Sequence, residues 1–265
     1  MSEKRKLVLY SGGMDSTHIL RQLVSNKEPF DVLYVHTAVH PLKKKKELEV
    51  REKFLASIRQ KEDYPWSVRE YECELDWWNC CKKGDRLIPH WNQPQTWAVA
   101  AARAFNPERH SALVVGYLME ETGKLPIIKQ LWSAMSQLSW GEEFPLEVPL
   151  AYLSKEQILR DSPDNVFETT WVCECPIERE TIHRCGNCAP CRRMDAAFLT
   201  KGVTNHNIKR LKAWNAQLER PEEANLSAAY FEQKYEESNA RELIRSPFPS
   251  ISSEAEYCAL TSTYG

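Results

Sequence analysis

A hexapeptide near the start of the chain, Ser11-Gly-Gly-Met-Asp-Ser16, combines residue types that suit a bound oxyanion. It follows the apolar run of residues 7–9 and precedes a segment whose apolar residues recur at helical spacing. Gly12 and Gly13 allow a tight turn and a close approach of the backbone to a ligand. The partial positive charge at the start of the following helix favours phosphate. Because Asp15 alone would repel a phosphate, we expect Mg²⁺ to lie between the carboxylate and the phosphate oxygens.

A second group of chemically active residues is a cluster of cysteines late in the chain. Five of the nine cysteines fall within nineteen residues. Three of them, Cys185, Cys188 and Cys191, follow a C-x2-C-x2-C spacing that is typical of a zinc knuckle. A fourth thiolate, from Cys173 or Cys175, would complete a four-cysteine Zn²⁺ site that contributes folding free energy.

The elements that must position these residues alternate between strand and helix over the first two-thirds of the chain. Strands are predicted at residues 7–9, 31–37, 67–75 and 112–118, and an extended segment at 144–153. Helices are predicted after Ser16, at 42–58, 97–105 and 131–140, and after Leu153. This alternation predicts an α/β fold with a doubly wound, mainly parallel sheet. Ligands bind such sheets beyond the carboxyl ends of the strands, where the strand order reverses.

Changes in composition divide the chain into three predicted parts. An α/β domain covers residues 1–168, and a four-cysteine zinc-binding segment covers residues 169–204. A polar, helical extension of about 60 residues follows at 205–265. We expect this extension to support a homodimer or a contact with a partner.

Bulk properties exclude several classes of protein. No apolar run approaches about 18 residues, so we expect no membrane span, and the apolar part of the N-terminus is too short for a signal peptide. We therefore expect a cytoplasmic protein, in which clustered cysteines indicate metal binding or catalysis rather than disulfides. The net charge of −2 makes nucleic acid an unfavoured partner, and the lysine run 43–46 reads as a solvated helix start.

The opening hexapeptide resembles the SGGxDS loop of the N-type ATP pyrophosphatases, the PP-loop family. The resemblance implies that the loop holds the pyrophosphate end of ATP through Ser11, Gly12, Gly13, Met14, Asp15 and Ser16. It places His36, at the end of the second strand, near the adenine, and Gly116 where the ligand needs room. It also makes Lys155 the cation near the phosphates, so the predicted catalytic set is Asp15, Ser16 and Lys155.

The late cysteines narrow the resemblance to one branch of that family. Thr170-Trp-Val-Cys173 followed by Cys185-Gly-Asn-Cys-Ala-Pro-Cys191 is similar to the late pattern of the QueC family, the 7-cyano-7-deazaguanine synthases. The register after Thr170 favours Cys173 over Cys175 as the first ligand. The resemblance covers roughly residues 5–200 and implies a ligase. In that family, ATP adenylates the carboxylate of 7-carboxy-7-deazaguanine, an amine attacks to give an amide, and a second activation gives the nitrile; the resemblance implies the same reaction here.

One departure from the family points to a divergent member. Family members carry a Gly-Arg-Asn segment before the fourth strand, whereas this chain reads HWNQPQTWAVAAARAF at 90–105. The WWNCC segment at 77–81 is also unusual. QueC-like proteins of divergent kind occur in antiphage systems, including CBASS-type operons, and in DNA-modification clusters. There the activated deazaguanine can pass to another amine, such as a protein N-terminus.

Two other classes remain open from the sequence. A tRNA-thiolating PP-loop enzyme would use the cysteines for an iron–sulfur cluster or for sulfur transfer, although the chain lacks the basic charge expected of a tRNA partner. A non-catalytic nucleotide-binding scaffold would use the zinc knuckle as an interaction module, although the intact Asp15 and Ser16 favour catalysis.

Overall fold

The computed structural model describes most of the first 199 residues and three short pieces beyond them. The described ranges are 3–37, 41–61, 63–65, 67–75, 82–83, 86–87, 93–178, 180–186, 188–199, 210–211, 213–214 and 216–217. The WWNCC segment, residues 90–92 and most of the C-terminal extension therefore lie outside them.

The central element is a five-stranded sheet in which every neighbouring pair of strands is parallel. Its strands are β1 (Arg5–Leu9), β2 (Phe30–Thr37), β3 (Glu70–Leu75), β6 (His110–Val114) and β7 (Leu146–Glu147), in the order β3-β2-β1-β6-β7. Two short antiparallel hairpins accompany it: β4 (Lys82–Lys83) with β5 (Arg86–Leu87), and β8 (Ile177–Glu178) with β9 (Ile182–His183).

Six α-helices connect and cover the strands in the described residues. They are α1 (Met14–Ser25), α2 (Pro41–Arg59), α3 (Gln93–Ala104), α4 (Leu125–Trp140), α5 (Lys155–Asp161) and α6 (Ala189–Leu199). Single 3-10 turns lie at Met119–Lys124 and Val166–Glu168. Among the described residues, none of the helices combines the length and the apolarity needed to cross a membrane.

Two hydrophobic cores, one on each face of the sheet, explain the apolar runs in the strands. Successive side chains of a strand point to opposite faces. Val8 accordingly packs in the core formed with α1, α2 and the cysteine segment, whereas Leu7 and Leu9 pack in the core formed with α3 and α4. A strand buried on both faces is apolar throughout, so the predicted doubly wound α/β fold is confirmed.

The strand order creates a crevice at one end of the sheet. From β1 the chain moves outward through β2 to β3, and then returns across the sheet to place β6 on the other side of β1. Strand order therefore reverses between β1 and β6, and the crevice lies beyond their carboxyl ends. The Ser11–Ser16 loop follows β1 at this end, and Gly116 follows β6.

Several predicted boundaries differ from the observed ones. α4 begins at Leu125 rather than at residue 131, and α3 begins at Gln93 rather than at residue 97. β6 ends at Val114, so Gly116 lies beyond the strand instead of inside it. β7 covers two residues of the predicted extended segment. In α3 and α4 a proline in the first turn marks the observed start of the helix, because proline is favoured where no backbone donor is needed.

Candidate nucleotide site and cysteine centre

The loop after β1 turns tightly at a glycine that no other residue could replace easily. Gly12 has φ +80°, which L-residues with a side chain rarely adopt. A Cβ atom at Gly12 would also lie 3.0 Å from both Arg51 Cγ and Val50 Cγ2. Helix α2 therefore packs directly against the loop at Gly12.

Hydrogen bonds within the loop fix the start of α1. The Gly13 N–H donates to Ser11 Oγ at 3.2 Å, and the Ser16 hydroxyl donates to the Gly13 carbonyl at 3.2 Å. The N–H of Thr17 donates to the same carbonyl at 3.0 Å. Gly13 is the N-cap, and no side chain in the described part of the chain caps this helix end. The first-turn N–H groups are thus available to an anion.

Gly116 borders the loop from the side of β6. A Cβ atom there would lie 3.4 Å from the backbone nitrogen of Ser16 and 3.4 Å from Ile19 Cδ1. Glycine at this position allows the chain after β6 to pack directly on the first turn of α1. Met14 also belongs to this turn, and its side chain is buried in the core.

Lys155 and Asp15 meet at this crevice. Lys155 is the first residue of α5, whose start is fixed by a capping box between Ser154 and Gln157. Its N–H donates to Glu120 Oε1 at 3.3 Å. Its ammonium donates to Asp15 Oδ1 at 2.5 Å. The predicted catalytic residues Asp15, Ser16 and Lys155 are therefore brought together at the start of α1.

His36, at the end of β2, belongs to a polar network with Tyr34 and Glu72. Its ring packs edge-on against Tyr34 with centroids 4.3 Å apart, and its Nε2 lies 3.0 Å from Glu72 Oε2. The Tyr34 hydroxyl donates to Glu47 at 2.6 Å, and the Arg51 guanidinium lies 3.9 Å from the Tyr34 ring centroid. Burial raises the pKa of Glu47 above its ordinary value. The network links the end of β2 to the helix that supports Gly12.

The cysteine centre is formed by four sulfurs from two segments. Cys173, Cys185, Cys188 and Cys191 place their sulfurs within 4.8 Å of one another. The Cys173 sulfur lies 3.6 Å from that of Cys185 and 4.0 Å from that of Cys188. Four thiolates bound tetrahedrally to Zn²⁺ at about 2.3 Å would have sulfurs roughly 3.8 Å apart, so this donor set fits the ion.

Backbone donors around the sulfurs also suit a metal centre. The N–H of Cys185 donates to the Cys173 sulfur at 3.2 Å, and the N–H of Cys188 donates to the Cys185 sulfur at 3.3 Å. Such hydrogen bonds stabilise ligating thiolates. Cys175, the alternative fourth ligand, is exposed and does not belong to the four-sulfur group.

Comparison with protein families gives a match for the part of the chain that contributes Lys155 and the cysteine centre. A family model described as "Queuosine biosynthesis protein QueC" matches residues 100–202. This segment is QueC-like. The segment contains Gly116, Lys155 and the four clustered cysteines. The match confirms the family resemblance drawn from the sequence.

Solved structures give matches at low sequence identity. An NMN synthetase from Francisella tularensis aligns with TM-score 0.42 and 12% identity, over 86% of this chain and 87% of its own. The U34-tRNA thiolase NcsA from Methanococcus maripaludis, solved with its 4Fe–4S cluster, aligns with TM-score 0.42 and 13% identity, over 88% of this chain and 72% of its own. No curated protein matches the chain at a significant level.

One contact joins the QueC-like segment to the N-terminal loop, a second lies within that segment, and the sequence gives no sign of either. The Trp171 N–H donates to the Gly12 carbonyl at 2.9 Å. Arg193, in α6, lies 3.3 Å from Glu121, which also pairs with Lys124 at 3.1 Å. Burial opposes the ionisation of Glu121, but these two cations hold its pKa below the ordinary value. Spacing could not reveal these partners, since one contact is made by a backbone group and the other by one of many acidic residues.

A cavity of about 520 Å³ lies beside this junction, between α2 and the cysteine segment. Its apolar wall includes Trp171, Phe167 and Ile182. Because its lining does not include Asp15, Lys155 or Gly116, we do not assign the reaction to it.

The lysine run at the start of α2 is neutralised by acidic residues. Each of its four ammonium groups lies within 4.0 Å of a carboxylate; the pairs are Lys43–Glu47, Lys44–Glu74, Lys45–Glu178 and Lys46–Glu49. The run therefore presents little net positive charge to a nucleic acid.

The described pieces of the C-terminal extension pack on the cysteine segment. The Arg184 guanidinium lies 3.8 Å from the Trp214 ring centroid and donates to the Trp214 carbonyl at 3.0 Å. The Trp214 indole N–H donates to Asp195 in α6 at 2.7 Å. These residues thus extend the core around the cysteine centre.

Proposed function

We propose that this protein is an ATP-dependent ligase that adenylates the carboxylate of 7-carboxy-7-deazaguanine and passes the activated group to an amine. The observation that carries the proposal is the meeting of Lys155, from the QueC-like segment, with Asp15 of the N-terminal loop at the β1–β6 crevice. Residues far apart in the sequence thereby meet, and their charges suit a nucleoside triphosphate with its Mg²⁺ ion.

The residues of the loop suit binding of the pyrophosphate end of ATP. The first-turn N–H groups of α1 and the Lys155 ammonium supply positive charge, and Gly12 and Gly13 let phosphate oxygens approach the backbone. Asp15 would share a Mg²⁺ ion with those oxygens, and the ion would neutralise charge as pyrophosphate leaves. Reaction then depends mainly on orientation and charge stabilisation.

Ser16 is assigned a binding role rather than a nucleophilic one. Its hydroxyl donates to the Gly13 carbonyl, and the side chain is buried. That hydrogen bond orders the loop but does not activate the hydroxyl as a base would. The nucleophiles of the proposed reaction are therefore the substrate carboxylate, which displaces pyrophosphate from ATP, and then the incoming amine, which displaces AMP.

Zn²⁺ is the proposed occupant of the cysteine centre, in a structural role. Four thiolates leave no open coordination position for a substrate, as in other closed zinc sites. When bound, the ion would supply folding free energy and hold the two cysteine segments together.

The proposal is tested by incubating the zinc-loaded full chain with ATP, Mg²⁺, 7-carboxy-7-deazaguanine and ammonia, and identifying the products by mass. We expect AMP together with the amide or the nitrile. A nitrile supports the ordinary QueC reaction; an amide alone, or a mass adduct on a protein added as the amine, supports the divergent ligase of an antiphage or DNA-modification system.

Two results would overturn the proposal. Absence of AMP release with every amine would exclude adenylation of this acid. Visible absorbance of the purified protein, with iron and sulfide in the cysteine centre, would instead favour a tRNA-thiolating enzyme. Asp15→Asn provides the negative control for AMP release, since it retains the shape of the side chain and removes the charge.

A further inference from the structure

Trp171 lies where the cysteine centre meets the phosphate-binding loop. Its backbone N–H donates to the Gly12 carbonyl at 2.9 Å, and its indole N–H donates to the Cys173 carbonyl at 2.8 Å. The residue is 5% exposed, so both hydrogen bonds are shielded from water. Trp171 thus connects the turn of the loop to the backbone of the first cysteine.

The bond to Gly12 constrains one end of a peptide group whose other end, the Gly13 N–H, donates to Ser11 Oγ at 3.2 Å. The Gly12 carbonyl and the Gly13 N–H belong to one planar peptide group. A hydrogen bond that holds the carbonyl therefore also fixes the direction of the N–H, which lies at the start of α1. Val50 and Arg51 pack closely where a Cβ of Gly12 would lie, so α2 and Trp171 both restrict this turn.

The segment that carries Trp171 is held at both ends. Upstream, the Thr170 hydroxyl donates to the Val166 carbonyl at 2.8 Å, and Arg21 of α1 donates to Thr169 at 3.1 Å. Downstream, Cys173 is held by the three other cysteines. The described contacts of the Cys173 sulfur include the sulfurs of Cys185 and Cys188 and the Cys185 N–H, at 3.2 to 4.0 Å, and a bound metal ion would hold this sulfur directly. The downstream end therefore depends on metal much more than the upstream end does.

We infer that Trp171 is a positioning residue that couples metal binding at the cysteine centre to nucleotide binding at the loop. The inference rests on the proposed ATP site and on Zn²⁺ as the metal. Zinc fixes Cys173, Cys173 fixes Trp171, and Trp171 fixes the Gly12–Gly13 peptide. Because coupling between two binding sites is reciprocal, a bound nucleotide must raise the affinity for zinc by the same factor by which zinc raises the affinity for nucleotide.

The experiment measures zinc affinity by competition with a chromophoric chelator, with and without a non-hydrolysable ATP analogue and Mg²⁺. In the wild-type chain we expect the analogue to raise zinc affinity by about fivefold or more. In Trp171→Phe, which keeps the backbone N–H but loses the indole hydrogen bond to Cys173, we expect the factor to fall towards one.

Trp132→Phe is the matched control. The Trp132 side chain is buried in the opposite core, and its indole N–H donates to the Phe144 carbonyl at 2.7 Å. Trp132→Phe loses an equivalent hydrogen bond in the core on the other face of the sheet, so its coupling factor should equal that of the wild type. An equal loss of coupling in both variants would mean that general destabilisation is responsible, and would overturn the inference.

Hydrogen exchange of the wild-type chain gives a second test that needs no variant. On removal of zinc, amides in the peptide of residues 7–20 should exchange faster, whereas those in residues 110–114 of β6 should change little. Unchanged exchange in the loop would overturn the inference. If the analogue binds but zinc affinity does not respond, only the coupling fails; if the analogue does not bind at all, the proposed ATP function fails with it.

Discussion

The Lys155 ammonium donates a hydrogen bond to the Asp15 carboxylate across 140 residues of sequence. The contact joins the first turn of α1 to the first turn of α5, and it bridges the crevice between β1 and β6. Both side chains are largely shielded, with 11% of Lys155 and 24% of Asp15 exposed. Each charge compensates the other, so both side chains can stay ionised in this largely shielded position.

Replacement of Lys155 by methionine should lower kcat/KM for ATP by about 100-fold, because it removes a cation placed where charge develops on the phosphates. Pyrophosphate exchange driven by the acid substrate measures the effect. Lys6→Met is the control, since Lys6 also pairs with carboxylates, Glu28 and Glu147, but lies at the start of β1. Equal activity of the two variants would remove Lys155 from the proposed site.

Replacement of Gly12 by alanine should weaken both folding and nucleotide binding. The substitution imposes a positive φ on a residue with a side chain and places a Cβ 3.0 Å from two side-chain atoms of α2. Gly141→Ala separates these effects, since Gly141 has φ +76° but a Cβ there meets no described atom within 4 Å. We expect a loss of about 1 kcal/mol for Gly141→Ala and a larger loss for Gly12→Ala, measured by urea unfolding.

Affinity for an ATP analogue distinguishes the two glycine variants further. Gly141→Ala should bind it like the wild type, because Gly141 ends α4 away from the loop. Normal binding by Gly12→Ala would show that the loop tolerates a side chain and does not form the phosphate site.

Local patterns explain why much of the fold could be predicted from sequence. Apolar residues at helical spacing placed Ile19, Leu20, Leu23 and Val24 on the inner face of α1, and all four are buried. The apolar strands required cover on both faces, which is the doubly wound arrangement. The spacing of three cysteines indicated a centre because ligands to one ion must lie within a few residues or on facing segments.

Contacts that do not depend on side-chain type could not be predicted in this way. The Trp171–Gly12 hydrogen bond uses only backbone groups, which every residue except proline carries. Glu121 gives no local sign that it, rather than Glu120, pairs with Arg193. The predicted start of α4, residue 131, is too late although Pro126 marks the observed start. The first turn is almost entirely apolar, so it lacks the alternation of polar and apolar residues that indicates a helix.

Cys173 and Cys175 should differ sharply in their effect on metal content. Cys173 is 1% exposed and belongs to the four-sulfur group, whereas Cys175 is exposed outside it. We expect Cys173→Ser to lose most of the bound zinc and to lower the midpoint of thermal unfolding, because metal binding contributes to folding. Cys175→Ser should retain one zinc per chain, measured by elemental analysis. The reverse result would make Cys175 the ligand.

Asp31 should make the fold sensitive to acid. Its carboxylate is fully buried at the start of β2 and pairs with Arg5, Arg109 and His110. Burial alone would raise its pKa, but hydrogen bonds from His110, Arg109 and the Arg69 N–H outweigh burial and hold the pKa well below its usual range. A depressed pKa in the folded state means that the stabilisation is present above the unfolded pKa, near 3.9, and is lost as pH falls below it.

Urea unfolding of Asp31→Asn between pH 7 and pH 3 tests this assignment. At pH 7 the variant should lose about 3 kcal/mol of unfolding free energy, because it removes a buried carboxylate that pairs with two partly buried arginines. Between pH 5 and pH 3 its stability should fall less steeply than that of the wild type, since the titrating carboxyl is gone. Glu28→Gln is the control: Glu28 pairs with Lys6 at the surface, so its loss should cost under about 1 kcal/mol. Parallel pH profiles for Asp31→Asn and the wild type would contradict the assignment and would place the acid-sensitive group elsewhere in the fold.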